Sequence, residues 1–205
     1  RSGAGCDGPT FDVDAIVDPS PNVLATPSAL TICSGATTNI ALSTPNGVAG
    51  AQYTWTVVQS GVSGGSAQAV AVGGPISQTL STTGAVQGTA TYTITPETAS
   101  CTGSPVTVIV TVDPLPDASA PDETICSGGT TSIAISTPNG VGGTTYTWVV
   151  LSNPGAVTGA GAGSGSTIGQ TLVNPTNVQQ TVTYRITPRS GAGCDGPTFD
   201  VDAIV

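Results

Sequence analysis

The clearest pattern in the chain is alternation with a period of two. Val106, Val108, Val110 and Val112 are interleaved with Thr107, Ile109 and Thr111, the pattern of a strand with one face on a core. Near the C-terminus, Phe199, Val201, Ala203 and Val205 fall on the inner face of a matching strand. Ile40 and Leu42 alternate with polar neighbours, as do Ile133 and Ile135. Tyr53, Trp55 and Val57 share one face, and so do Tyr146, Trp148 and Val150. Pro45-Asn46-Gly47 and Pro138-Asn139-Gly140 are turn signals between such runs. No stretch carries helical periodicity. The spacing predicts roughly six to eight short strands in each ~93 residues, an all-β antiparallel sandwich.

The pattern also repeats. Residues 1–17 and 189–205 both read RSGAGCDGPTFDVDAIV, which sets a full period of 188 residues. Within it, Thr31–Gly50 (TICSGATTNIALSTPNGVAG) faces Thr124–Gly143 (TICSGGTTSIAISTPNGVGG). The sequence therefore reads as a window on a tandem array. Residues 1–17 are the C-terminal tail of a preceding repeat, 18–112 a first complete repeat and 113–205 a second. Each complete repeat opens with Asp-Pro-x-Pro, Asp18 to Pro21 and Asp113 to Pro116. Two prolines in four residues favour an extended, semi-rigid joint.

Composition narrows the partners. Only 7% of residues are charged and the formal net charge is -9, with three arginines, no lysine and no histidine. Nothing here neutralises phosphates, which argues against nucleic acid and against an anionic membrane surface. No apolar run reaches the ~20 residues of a membrane span, so no membrane insertion is expected in this segment. The five cysteines carry the sharpest signal. Cys33 to Cys101 and Cys126 to Cys194 are each 68 residues apart. This spacing predicts two disulfides inside the repeats, Cys33–Cys101 and Cys126–Cys194, with Cys6 left over as the equivalent of Cys194. The bland alternative is five free, buried thiols. Disulfides imply an oxidising compartment, outside the cell or on its surface.

The Asp-Pro-x-Pro entry, Thr-Ile-Cys-Ser-Gly, Tyr-Thr-Trp, Tyr-Thr-Ile-Thr-Pro (Tyr-Arg-Ile-Thr-Pro in the second repeat) and the late cysteine together resemble the immunoglobulin-like PKD-like domains. Such domains occur in tandem in very large surface proteins of Bacteroidota. The resemblance covers both repeats and implies export by the type IX secretion route and service in adhesins, gliding filaments or other long appendages of the bacterial surface. The cysteines depart from the antibody pattern by flanking the strands, so a disulfide is expected to staple one end of a sandwich instead of crossing its centre.

Chemistry-bearing residues are sparse. Without histidine or lysine the usual general bases and Schiff-base nucleophiles are missing. Asp200 and Asp202, like Asp12 and Asp14, are two apart on a strand and both face outward, unlike the paired carboxylates of a glycosidase cleft. No catalytic residue and no enzymatic activity are expected. Asp14, Asp18 and Asp117 lie near repeat junctions, where oxygen ligands could hold calcium; the competing reading is an acidic face that discourages strand-edge pairing. No other cofactor is expected. Trp55 and Trp148 could be sugar platforms, but their alternation places them, with Tyr92 and Tyr184, in the core. The expected function is a structural repeat segment of a long extracellular fibre whose partners are other copies of itself. The alternatives are a module adhering to polysaccharide or another cell, with contacts in 59–75 and 152–167, and a passive spacer.

Overall fold

The structure is a computed structural model that describes residues 9–205. All regular structure among them is β, in two consecutive sandwiches. The first repeat contains β1 (Leu24–Thr26), β2 (Ala29–Cys33), β3 (Ala41–Ser43), β4 (Gln52–Ser60), β5 (Val62–Ser63), β6 (Gln68–Val72), β7 (Ser81–Thr82), β8 (Gly88–Glu97) and β9 (Val106–Asp113). The second contains β10 (Glu123–Thr124), β11 (Ile133–Ala134), β12 (Thr145–Ser152), β13 (Gly163–Ser164), β14 (Thr167–Ile168), β15 (Thr181–Arg189) and β16 (Phe199–Ile204).

Each repeat has one five-stranded sheet, in the order β2-β9-β8-β4-β6 and β10-β16-β15-β12-β13. The facing layer is made of short pieces. In the first repeat these are the pairs β1-β3 and β5-β7 with bridges Thr37–Thr79 and Ile40–Ile76. In the second they are β11-β14 with bridges Ser119–Ser136 and Thr130–Thr171. The long strands form because their alternation fits a half-buried sheet: β8 is strictly buried at every second residue from Gly88 to Pro96.

The cores are built from equivalent residues. Trp55, Tyr92, Ile94, Val108 and Val110 pack with Ile40, Ile76 and Leu80; Trp148, Tyr184, Ile186 and Val201 pack with Ile133, Ile168 and Leu172. Full burial of one such aliphatic side chain contributes roughly 1.5–3 kcal/mol. Tyr92 and Tyr184 lie wholly inside, and each donates its hydroxyl to a glutamine, Gln78 at 2.8 Å and Gln170 at 2.7 Å. Thr38 and Thr131 are buried polar residues that tie the segments of the facing layer together: each hydroxyl donates to a carbonyl (Ile76, Ile168) and accepts an amide (Gln78, Gln170).

One pairing in each repeat is parallel, and it decides the geometry of the site. β2 runs parallel to β9, with Cys33 opposite Asp113, and β10 runs parallel to β16. All other strand pairs are antiparallel. The parallel partner carries Cys33 to the end of the sandwich where β9 leaves for the second repeat.

The duplicated segment takes two forms. As Phe199–Ile204 it is β16, between β15 and β10, with Val201, Ala203 and the following Val205 buried. In the first copy Phe11, Val13, Ile16 and Val17 are 80–89% exposed and belong to no strand. A strand exists only where neighbours satisfy its backbone and cover its apolar face. Cys6 lies outside the described residues.

Candidate functional site

Cys33, Asp113 and Cys194 meet at the junction between the repeats, and equivalent features mark the outer ends. The entry linker of each repeat is clamped by its own turns. Thr44–Gly47 and Thr137–Gly140 close with amide-to-carbonyl bonds of 3.0 and 3.1 Å, Gly47 and Gly140 taking the positive φ that the turn requires. The central asparagine of each reaches back to the linker: Asn46 donates its side-chain amide to the Ser20 carbonyl, and Asn139 to that of Leu115, each at 2.9 Å. Opposite them lie two glycines with no room for a side chain. A Cβ on Gly103 would come within 1.8 Å of the Pro21 carbonyl oxygen, and one on Gly196 within 1.7 Å of that of Pro116.

The two cysteines of a repeat sit at opposite ends of it. The early cysteine opens a tight turn: Ala36 N–H donates to the Cys33 carbonyl at 3.0 Å, with Gly35 at φ 85°. Gly129 N–H donates to Cys126 at 2.8 Å, with Gly128 at φ 86°. This turn lies at the exit end, where Ser34 N–H binds the Asp113 carbonyl. The late cysteine lies in the loop before the last strand, at the entry end. Cys101 N–H donates to the Thr98 hydroxyl at 3.0 Å, and Cys194 N–H to that of Ser190 at 3.1 Å.

The disulfide in the structure joins Cys33 to Cys194, with 5.7 Å between Cα atoms and a sequence separation of 161. The expected pairs Cys33–Cys101 and Cys126–Cys194 are not formed; Cys101 and Cys126 are free thiols. The reason is the parallel pairing. Cys101 precedes β9 and Cys33 lies beside its last residue, so the length of β9, ~23 Å, separates two residues that must approach within about 7 Å to bond. The exit end of the first repeat instead meets the entry end of the second. The staple is at an end of the sandwich, but it runs between repeats.

The junction is covered. Asp113, Val141, Ser190 and Cys194 are all buried there, and the Asp113 carboxylate accepts a 2.6 Å hydrogen bond from the Gln87 amide. The calcium candidates lie as follows on the chain. Asp14 and Asp18 are exposed, and Asp117 accepts the Asn139 amide at 3.0 Å. Among the described residues no three acidic or cysteine side chains converge on a cation-sized space.

The other candidates are placed as follows. Trp55 and Trp148 are 7% and 6% exposed, so neither ring is offered to a sugar. Trp55 Nε1 donates to the Ser66 carbonyl at 3.1 Å; Trp148 Nε1, tight against Gly163, has no partner. Asp200 accepts two 2.8 Å bonds, from Nε and Nη2 of Arg185, and these keep its carboxyl below the usual range. Asp202 accepts the Thr183 hydroxyl.

Two stretches of the chain, residues 30–116 and 123–205, match the family model of the PKD-like domain. The chain belongs to the PKD-like domain family. No curated protein matches it. Among solved structures, these PKD-like repeats are similar to the fibronectin(III)-like modules of Clostridium thermocellum CbhA, at 12% identity over 90% of this chain and 94% of that one, with a TM-score of 0.37. They are also similar to the FN1-FN3 domains of chicken CNTN1, at 14% identity over 91% and 66%, TM-score 0.41. A third is the insect immune protein hemolin, at 14% over 93% and 48%, TM-score 0.41. This chain thus spans about half of hemolin. The chain is a tandem of PKD-like, immunoglobulin-like sandwiches, a fold that is typically non-catalytic.

Proposed function

We propose that this chain is a structural segment of a long extracellular fibre, in which PKD-like sandwiches are joined end to end and copies associate laterally. The observation that carries the reading is the stapled junction: a covalent bond, a clamped proline linker and buried Asp113 hold the two repeats together. A disulfide of this kind also fits an oxidising, cell-surface setting. Lateral association is supported by the low charge and by the row Val58, Thr91 and Ile109 across β4, β8 and β9, in which Val58 is 70% and Ile109 47% exposed.

The test is electron microscopy and light scattering of chains carrying several 188-residue periods, with and without calcium. Stiff fibres that thicken with concentration are expected. Isolated, bent strings of beads would overturn the reading and leave a spacer. A second reading, adhesion to polysaccharide, is favoured by two open grooves. One is lined by Thr54, Thr56, Gln68 and Thr93, the other by Thr145, Thr147, Ser164 and Ser166. Both draw on the segments that differ between repeats, and binding of a single period to a glycan array would favour it.

A further inference from the structure

The Cys33–Cys194 junction has two faces, and the chain presents each of them a second time, empty. The socket is the entry end of the second repeat, where Asp113, Val141, Ser190 and Cys194 are buried and Cys194 is bonded to Cys33 of the first. Their equivalents at the entry of the first repeat are Asp18, Val48, Thr98 and Cys101. These are exposed or half-exposed, and Asp18, Val48 and Thr98 line an open depression of about 250 Å³. Cys101 stands beside it in the same threonine/serine-held turn as Cys194, its S–H directed at the Asp18 carbonyl at 3.6 Å. The plug is the turn that begins at Cys33, half-buried in the junction. Its equivalent, Cys126 to Gly129, has the same backbone bond and the same positive-φ glycine, but Cys126 and Ser127 are exposed.

We propose that Cys101 and Cys126 are the two halves of a second staple, so that every junction of the array is covalently closed. Cys126 pairs with Cys101 of the period that follows, and Cys101 with Cys126 of the period before. The occupant of the socket is therefore the exit turn of another repeat of the same sequence, seated as the Cys33 turn is seated on the second repeat. The inference rests on the reading of the chain as part of a tandem array. In the bonding step the two Sγ atoms join. The thiols release two protons and two electrons to a disulfide oxidant, such as oxidised glutathione, which is reduced to two thiols.

The experiment uses residues 1–205 followed by a second copy of 18–205, refolded in a glutathione redox buffer, alkylated and mapped by mass spectrometry without reduction. The expected result is a Cys33–Cys194 peptide pair from each period and one Cys126–Cys101 pair across the new junction. Cys126→Ser in the first period should abolish the Cys126–Cys101 pair and leave both Cys33–Cys194 pairs. The proposal is overturned if Cys126 of the first period and Cys101 of the second are recovered alkylated while Cys33–Cys194 is intact, or if Cys33 is recovered with Cys101 of its own repeat. Microscopy of the same oxidised chain separates the two claims. Bent, unassociated beads with the new staple formed would sink the fibre reading alone, and stiff fibres with free thiols would sink this one alone.

Discussion

The position of the staple can be tested by its energetics. Cys33→Ser opens a loop of 161 residues, and the chain-entropy model puts the loss at up to about 5 kcal/mol, usually less in practice. Because the bond joins two repeats, that loss is shared between them. Cys194→Ser should match Cys33→Ser, and the double variant should cost no more than either single one. Cys101→Ser and Cys126→Ser, which remove free thiols, should fall within about 0.5 kcal/mol of the parent. The assay is denaturant unfolding under non-reducing conditions, followed by tryptophan fluorescence. Trp55→Phe and Trp148→Phe backgrounds let each repeat be read separately. In the parent the two repeats should unfold at similar denaturant concentrations, and in Cys33→Ser each should follow its own midpoint. If Cys101→Ser destabilises the first repeat as much as Cys33→Ser does, the bond lies inside the repeat and the end-to-end geometry is wrong.

Gly196→Ala drives a Cβ into the Pro116 carbonyl and should cost roughly 1–3 kcal/mol, with faster amide exchange in the linker as the local readout. Thr131→Val removes the hydroxyl that serves both Ile168 and Gln170; it should cost about 1–3 kcal/mol, and Thr38→Val should behave alike. Burial pushes the Tyr184 hydroxyl up to about 12, so an unfolded chain, with tyrosine near 10, holds fewer protons than the native one in between. Stability should therefore fall as pH rises from 10 to 12. A Tyr184→Phe variant should lose part of that slope, and an unchanged slope would contradict the assignment.

The strands with strong alternation were legible because burial of one face leaves a two-residue period, as in Val106–Val112 and around Trp55. The core positions of Tyr92, Tyr184 and the two tryptophans follow from the same pattern. The cysteine pairing was not legible, and equal spacing misled. Loop length says how far apart two cysteines are along the chain, whereas the end of the sandwich each occupies depends on strand direction. The Ala29–Cys33 strand carries no mark that it lies parallel to β9 and not antiparallel to it. The short strands of the facing layer were equally faint, since two or three residues cannot establish a period. Phe11–Ile16 shows that sequence alone does not make a strand: its six residues are those of β16, which is a strand between β15 and β10.

The staple also changes how a pulled chain would carry load. Tension entering at Asp18 runs only to Cys33, crosses the sulfurs to Cys194 and leaves through Val205. The residues between them, which carry most of both hydrophobic cores, are bypassed. Were they released, they would add about 550 Å of slack at ~3.4 Å per residue. With the bond intact that slack is locked away, and pulling bears only on β1, β2 and β16, the strands outside the closed loop. Reduction would turn the same polypeptide from a tether of limited stretch into a far more extensible one, with no change in its sequence.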